Sequence, residues 1–389
     1  MEKVSQLSIY NSIVHGPVST GHFTANDSNL FPKMCDQINE TSWELWYLDG
    51  ISMVDGGEAF AMGLTRDARG AKQGGFRIEV HALFSDRTNL SLELLFTESI
   101  FVQREDGIIT GTWHSPDREE AGKVVLQVSA DLSSATVQFR VAGKIVGAVE
   151  LTRRSQTPML PSKEEEAQLG PGVHYLRGLS LAAVTADLVF ESDANKPGPR
   201  KLSLRTNDQA VGGMDRLWAA ATWPQLISES YHLRASCGPY DLHVMMIRST
   251  SATGKVPYVS ARLYKNKQIV CLASKGFVEQ LSSCDQDYLV ARRMYGEQKD
   301  AVRGGFRDSN IGYTLEFSRR TSGNIPEHWK FEIRNVRGWW NLPTSQPGPN
   351  STGNSSFIVK VVGGLLSMDE GANCEAYVGY GGSGQVELP

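Results

Sequence analysis

Cysteine is scarce and unpatterned. The five residues Cys35, Cys237, Cys271, Cys284 and Cys374 are odd in number and contain no CxxC pair, which argues against a disulfide framework or thiolate zinc site and predicts free thiols. Charge of one sign is lacking too: 39 Lys and Arg against 43 Asp and Glu leave a net charge of -4, so no basic footprint points to nucleic acid. Long hydrophobic runs are missing. A stretch such as 357–366 is broken by Lys360 and glycine, well short of the roughly 20 apolar residues that a bilayer span needs. The start, Met1-Glu2-Lys3-Val4-Ser5, has neither the basic nor the apolar region of a signal peptide. The expectation is a cytoplasmic protein with no membrane and no nucleic-acid partner, in which the Asn-x-Ser/Thr triplets at Asn26, Asn39, Asn89, Asn350 and Asn354 are only loop chemistry.

The usual catalytic signatures are equally thin. Eight histidines show no HExxH, HxxEH or facial-triad spacing, so no metal site is expected. There is no GxSxG elbow, and no GxGxxG or GxxxxGK between a strand and a helix, which leaves hydrolase, dinucleotide and nucleotide-triphosphate chemistry without support. The glycine-rich tail 379–384 reads as a flexible turn.

What is abundant is period-two alternation. In residues 76–84, Phe76, Ile78, Val80, Ala82 and Phe84 share one face, and Arg77, Glu79, His81 and Leu83 the other. Similar β-rich runs occupy 43–48, 124–128, 136–141, 259–264, 313–317, 330–336 and 357–362. Only 161–169, which Ser162 could cap, suggests a helix. The fold class expected is all-β. At 389 residues two domains are expected, with the boundary in the polar Pro/Gly passage 191–213 and units of 1–207 and 208–389. The echo of Gly74-Gly75-Phe76-Arg77 in Gly304-Gly305-Phe306-Arg307 hints at a duplicated β unit.

Three segments carry unusual side chains. In residues 42–50, Trp43, Leu45 and Tyr47 alternate with Glu44, Trp46 and Leu48. A strand apolar on both faces must give Glu44 a partner, either an arginine in a structural pair or a polar group in a ligand cavity. Arg77, Glu79 and His81 are either a solvated face or, in a closed calyx, part of a cavity wall. Trp223, held extended before Pro224, and Tyr231 are either core or pocket. The loop after Trp339-Trp340, rich in Pro, Gly and Asn as far as Asn354, is a gate or an ordered connection.

These segments resemble, in order, the fungal decalin-forming Diels-Alderases: Trp43-Glu44-Leu45-Trp46-Tyr47 with Asp49-Gly50, Gly74-Gly75-Phe76, Gly170-Pro171 with Tyr175, Gly213-Met214-Asp215-Arg216, Trp223-Pro224-Gln225, Glu229-Ser230-Tyr231, Gly238-Pro239-Tyr240, Ala261-Arg262-Leu263-Tyr264, and Pro343-Thr344-Ser345 with Pro347-Gly348-Pro349. The resemblance implies an N-terminal β-sandwich and a C-terminal lipocalin-like β-barrel, akin to carotenoid-hydratase-like proteins. It also implies a pericyclase that needs no cofactor and closes a decalin by intramolecular [4+2] cycloaddition on a linear polyenoyl tetramic acid released by a polyketide-synthase/peptide-synthetase. Carried over by position, Glu44, Glu79, His81 and Asn354 would anchor or polarise the tetramate, Tyr175 and Tyr231 would donate hydrogen bonds, and Trp46, Trp223 and Trp340 would wall the polyene. His81 departs from the smaller polar residue expected there. A lipophile carrier and an isoprenoid hydratase or isomerase are the alternatives on this fold.

Overall fold

Alternation becomes burial in the Phe76–Leu83 strand, where Phe76, Ile78, Val80 and Ala82 are fully buried while Arg77 and Glu79 on the other side stay partly exposed. Each large apolar side chain so removed from water contributes about 1.5–3 kcal/mol. The computed structural model describes residues 2–118, 122–154, 160–191, 198–205, 210–274, 286–296, 301–320, 327–366 and 376–389. Cys284, Cys374 and the Asn207-Asp208 pair lie outside these residues. Cys35, Cys237 and Cys271 are free thiols.

The chain divides into one unit of Met1–Gln168 with Gly172–Thr222, and a second of Leu169–Pro171 with Trp223–Pro389. The division thus falls after Thr222 and not at 207/208. The reason is pairing: the Val211–Ala219 strand is hydrogen-bonded between His174–Phe190 and Trp43–Ile51, in the middle of the first unit's sheet.

That sheet is antiparallel and has 13 strands among the described residues. From Glu98–Gln103 to His174–Phe190 its order follows the sequence. It then takes Val211–Ala219 before returning to Trp43–Ile51, Ala59–Asp67, Phe76–Leu83 and Asn89–Phe96. Trp46 from the second stretch stacks on Phe101 from the first at 4.4 Å and meets Trp113 edge-on at 6.0 Å. The sheet is folded over on itself as a sandwich with its core between the two stretches.

Among the described residues the second unit is a nine-stranded antiparallel sheet running from Gln268–Ala273 to Tyr288–Met294, curled into a nearly closed barrel. Its interior is filled by side chains, with Tyr240 and Phe317 both edge-on to Phe331. The irregular segment 301–311 lies across the strand ends. There Asn310 donates to Gln385, Gln385 donates to the Asp308 carbonyl, and the Asp308 amide donates to Glu387.

Several local expectations change. The glycine-rich tail is the last barrel strand, Tyr377–Glu387, and a Cβ at Gly379 would lie 1.8 Å from the Ser236 carbonyl oxygen, so close strand approach explains that glycine. Residues 161–169 contain a single 3-10 turn, Glu164–Glu166, and Ser162 bonds the Glu166 carboxylate instead of capping a helix. Trp223 opens a short helical turn, Trp223–Leu226. Pro224 is tolerated there because first-turn amides have no intrahelical partner to lose. The two Gly-Gly-Phe-Arg segments are not equivalent, since one leads into a strand and the other lies in the irregular 301–311 segment. Among the described residues no helix is long and apolar enough to cross a membrane.

Candidate functional site

In the first unit, register assigns every candidate to a face. Glu44 pairs with Arg66 and Trp46 with Leu64, whereas Tyr47 pairs with Gly63, and Gly63 in turn pairs with Glu79. Cross-strand partners share a face. Glu44 and Trp46 therefore point into the sandwich core, while Tyr47, Asp49, Glu79 and His81 point away from it. Tyr175 and Arg177 join the latter face through Leu217 and Asp215.

The Glu44 carboxylate is fully buried. It accepts from the Arg216 guanidinium and from the Lys33 amide, and lies 3.6 Å from Arg66. Burial lowers the pKa of both arginines, Arg66 to about 10, against the opposing pull of Glu44. Arg216 also lies over the Trp46 ring at 3.9 Å. Glu44 and Trp46 are thus parts of a buried ion cluster and the core, the arginine-paired alternative for a carboxylate on a strand apolar on both faces.

The opposite face is polar around a low floor. Gly63 and Ala61 of the Ala59–Asp67 strand form the floor, flanked on one side by Tyr47 and Asp49 and on the other by Glu79 and His81. Burial raises the Glu79 carboxyl above its usual range, opposed by Arg77, which donates to it at 2.8 Å. Burial lowers His81 to about 4, so its imidazole is neutral at neutral pH, with Nδ1 2.8 Å from the Ser91 hydroxyl. The Tyr175 hydroxyl accepts from Arg177 Nε at 3.2 Å, and the guanidinium lies 5.3 Å from its ring. The neutral imidazole and the carboxyl group, two positions apart on one strand, supply fixed hydrogen-bonding groups for a polar ligand, and the Tyr175 phenol lies on the same face four strands away.

In the second unit, Ser230 aligns with Val386 and Asn354, and His232 with Gly384, Ser356 and Trp340. These lie outside the barrel. Tyr231 points inward. Its hydroxyl is within hydrogen-bonding distance of Glu229 at 2.9 Å and Asp308 at 3.0 Å, and Arg293 lies over its ring at 4.9 Å. Burial drives its pKa up. The Tyr231 hydroxyl thus has carboxylate neighbours within the protein, and Tyr231 does not share a face with Asn354 and Trp340. The loop after Trp340 is an ordered hairpin tip: Thr344 and Thr352 bond through backbone and hydroxyls, and the Thr352 amide donates to Ser345. Tyr47, Asp49 and Gly63, which share the face of Glu79 and His81, were not among the site residues singled out from the sequence. Alternation had separated Tyr47 from Glu44, but nothing local showed that the tyrosine's side aligns with Glu79.

A family model described as Diels-Alderase-like matches residues 1–389. The chain belongs to the Diels-Alderase-like family. Diels-Alderase fsa2 of Fusarium sp. is 36% identical over 99% of this chain and 98% of its own length, and Diels-Alderase phm7 of Pyrenochaetopsis sp. is 34% identical over 97% and 96%. The crystal structure of CghA with Sch 210972 superposes with a TM-score of 0.88 at 32% identity, covering 99% of this chain and 98% of that one. A putative AttH from Nitrosomonas europaea, with a TM-score of 0.50 at 13% identity over 95% and 99%, shares the fold alone. These relatives are curated as Diels-Alderases, that is, pericyclases, and this Diels-Alderase-like chain shares the all-β architecture of CghA.

Proposed function

We propose that this enzyme closes a decalin ring by stereoselective intramolecular [4+2] cycloaddition of a linear polyenoyl tetramic acid, in the cytosol, after release of that substrate by a polyketide-synthase/peptide-synthetase. Full-length similarity to several Diels-Alderases supports the reaction type. The observation that carries the polar chemistry is the shared face of Glu79, His81 and Tyr175, which lies opposite the sandwich core.

A concerted cycloaddition transfers no proton, hydride or phosphoryl group, so it calls for positioning and polarisation. Holding diene and dienophile in a near-attack geometry removes much of the entropic barrier. A hydrogen-bond donor at the acyl carbonyl stabilises the charge that gathers there in the transition state. Neutral His81 suits that donor role, with Glu79 and Tyr175 as further anchors. An anchoring role for Asn354 and wall roles for Trp223 and Trp340 are proposed from the family resemblance alone.

The test is incubation of the linear polyenoyl tetramic acid with purified protein, following rate and diastereomer ratio. Acceleration with one diastereomer enriched is expected. A rate and ratio equal to those in buffer would refute the proposal.

A further inference from the structure

Gly63 is a strand glycine that the protein's own packing does not require. Glycine in a strand interior costs about 0.5–1 kcal/mol relative to alanine, so most such positions have a local reason. A Cβ at Gly50 would lie 2.4 Å from the Phe60 ring, and one at Gly212 would lie 1.9 Å from the Asp49 carbonyl oxygen. Gly63 has neither constraint. Its φ is outside the left-handed region, and the one atom that its Cβ would crowd is the flexible Leu45 Cδ1, at 3.2 Å.

The position is half-exposed and lies between Tyr47 and Glu79 on the polar face. Next to it the floor is Ala61, between Asp49 and His81. Two strand spacings, about 9–10 Å, separate the flanking rows. That width admits a flat five-membered ring with hydrogen bonds at both edges.

We infer that Gly63 is a specificity-determining residue: its missing side chain keeps open a slot between Tyr47 and Glu79 that seats the planar, hydrogen-bonding ring at the polar end of the substrate. The inference rests on the proposed cycloaddition. Because no covalent chemistry occurs at this ring, filling the slot should weaken binding and tilt the bound chain more than it slows the bond-forming step.

The experiment compares the wild-type chain with Gly63→Ala, Gly63→Val and the double variant Gly63→Val/Leu45→Val on the linear polyenoyl tetramic acid, reading kcat, KM, diastereomer ratio and melting temperature. Gly63→Ala is expected to melt no lower than wild type. Gly63→Val should raise KM about tenfold to a hundredfold and shift the diastereomer ratio, with no rescue from trimming Leu45. An active wild type whose Gly63→Val variant matches it in KM and ratio overturns the slot, and so does rescue by Leu45→Val, which would trace the defect to Leu45. A wild type that does not turn over the substrate refutes the cycloaddition itself, and the slot's assignment with it.

Discussion

Glu44 and Glu79 leave the same sheet on opposite faces, the first toward Arg66 and Arg216 in the sandwich core and the second toward the Gly63 floor. The two carboxylates therefore do different work. Replacing Glu44 by Gln leaves two buried guanidinium groups without a counter-charge. A loss of about 3–5 kcal/mol is expected, read as a lower denaturation midpoint. Glu79→Gln loses only a partly exposed pair to Arg77, which Asp67 still holds, so it should cost no more than about 1 kcal/mol while lowering the rate of cyclisation.

His81 links the candidate site to acid stability. Its pKa is lowered to about 4 from 6.5 by burial, so between those values the unfolded chain binds the proton and the folded chain does not. Stability is fully present above pH 6.5 and is lost as pH falls toward 4, by up to about 3 kcal/mol. Denaturant titrations across this window should show a shallower pH slope for His81→Gln. The cyclisation rate of wild type should stay flat from pH 6 to 8 if the neutral imidazole is the donor.

Glu387 should act in the opposite direction. It is buried in the second unit beside the Asp308 amide and 3.4 Å from Arg307, and burial raises its pKa to about 7 from 4.5. The folded state holds the proton more tightly, so stability is fully present below pH 4.5 and declines as pH rises toward 7, by up to about 3 kcal/mol. Glu387→Gln should match wild type at pH 5 or melt slightly lower, and should melt above it at pH 8. Equal melting curves at pH 8 would contradict the raised pKa.

Tyr231 separates architecture from binding. Its hydroxyl sits between Glu229 and Asp308 under Arg293. Tyr231→Phe removes that shared donor and should cost about 1–3 kcal/mol of stability, while leaving the diastereomer ratio unchanged. A changed ratio at unchanged stability would return this residue to the substrate.

Much of the fold was legible along the chain because strands announce themselves locally. Phe76 to Phe84 alternate cleanly, and the β class follows from repeated runs of this kind. Candidate residues were less legible. Glu79 and His81 lie two positions apart, so one strand suffices to place them together. Pairing Glu79 with Tyr47 requires the register of three strands, and finding the partner of Glu44 requires Arg216, 172 residues away.

By itself the sequence determined that this protein is built of strands, that Glu44 and Tyr47 must point to opposite sides of one of them, and that the whole chain carries the pattern of its family. Only the tertiary structure decided which side is core. A period of two separates the faces of a strand but is silent on what covers each. Long-range pairing turned one face toward Trp113 and Phe101 and left the other as a polar floor at Gly63.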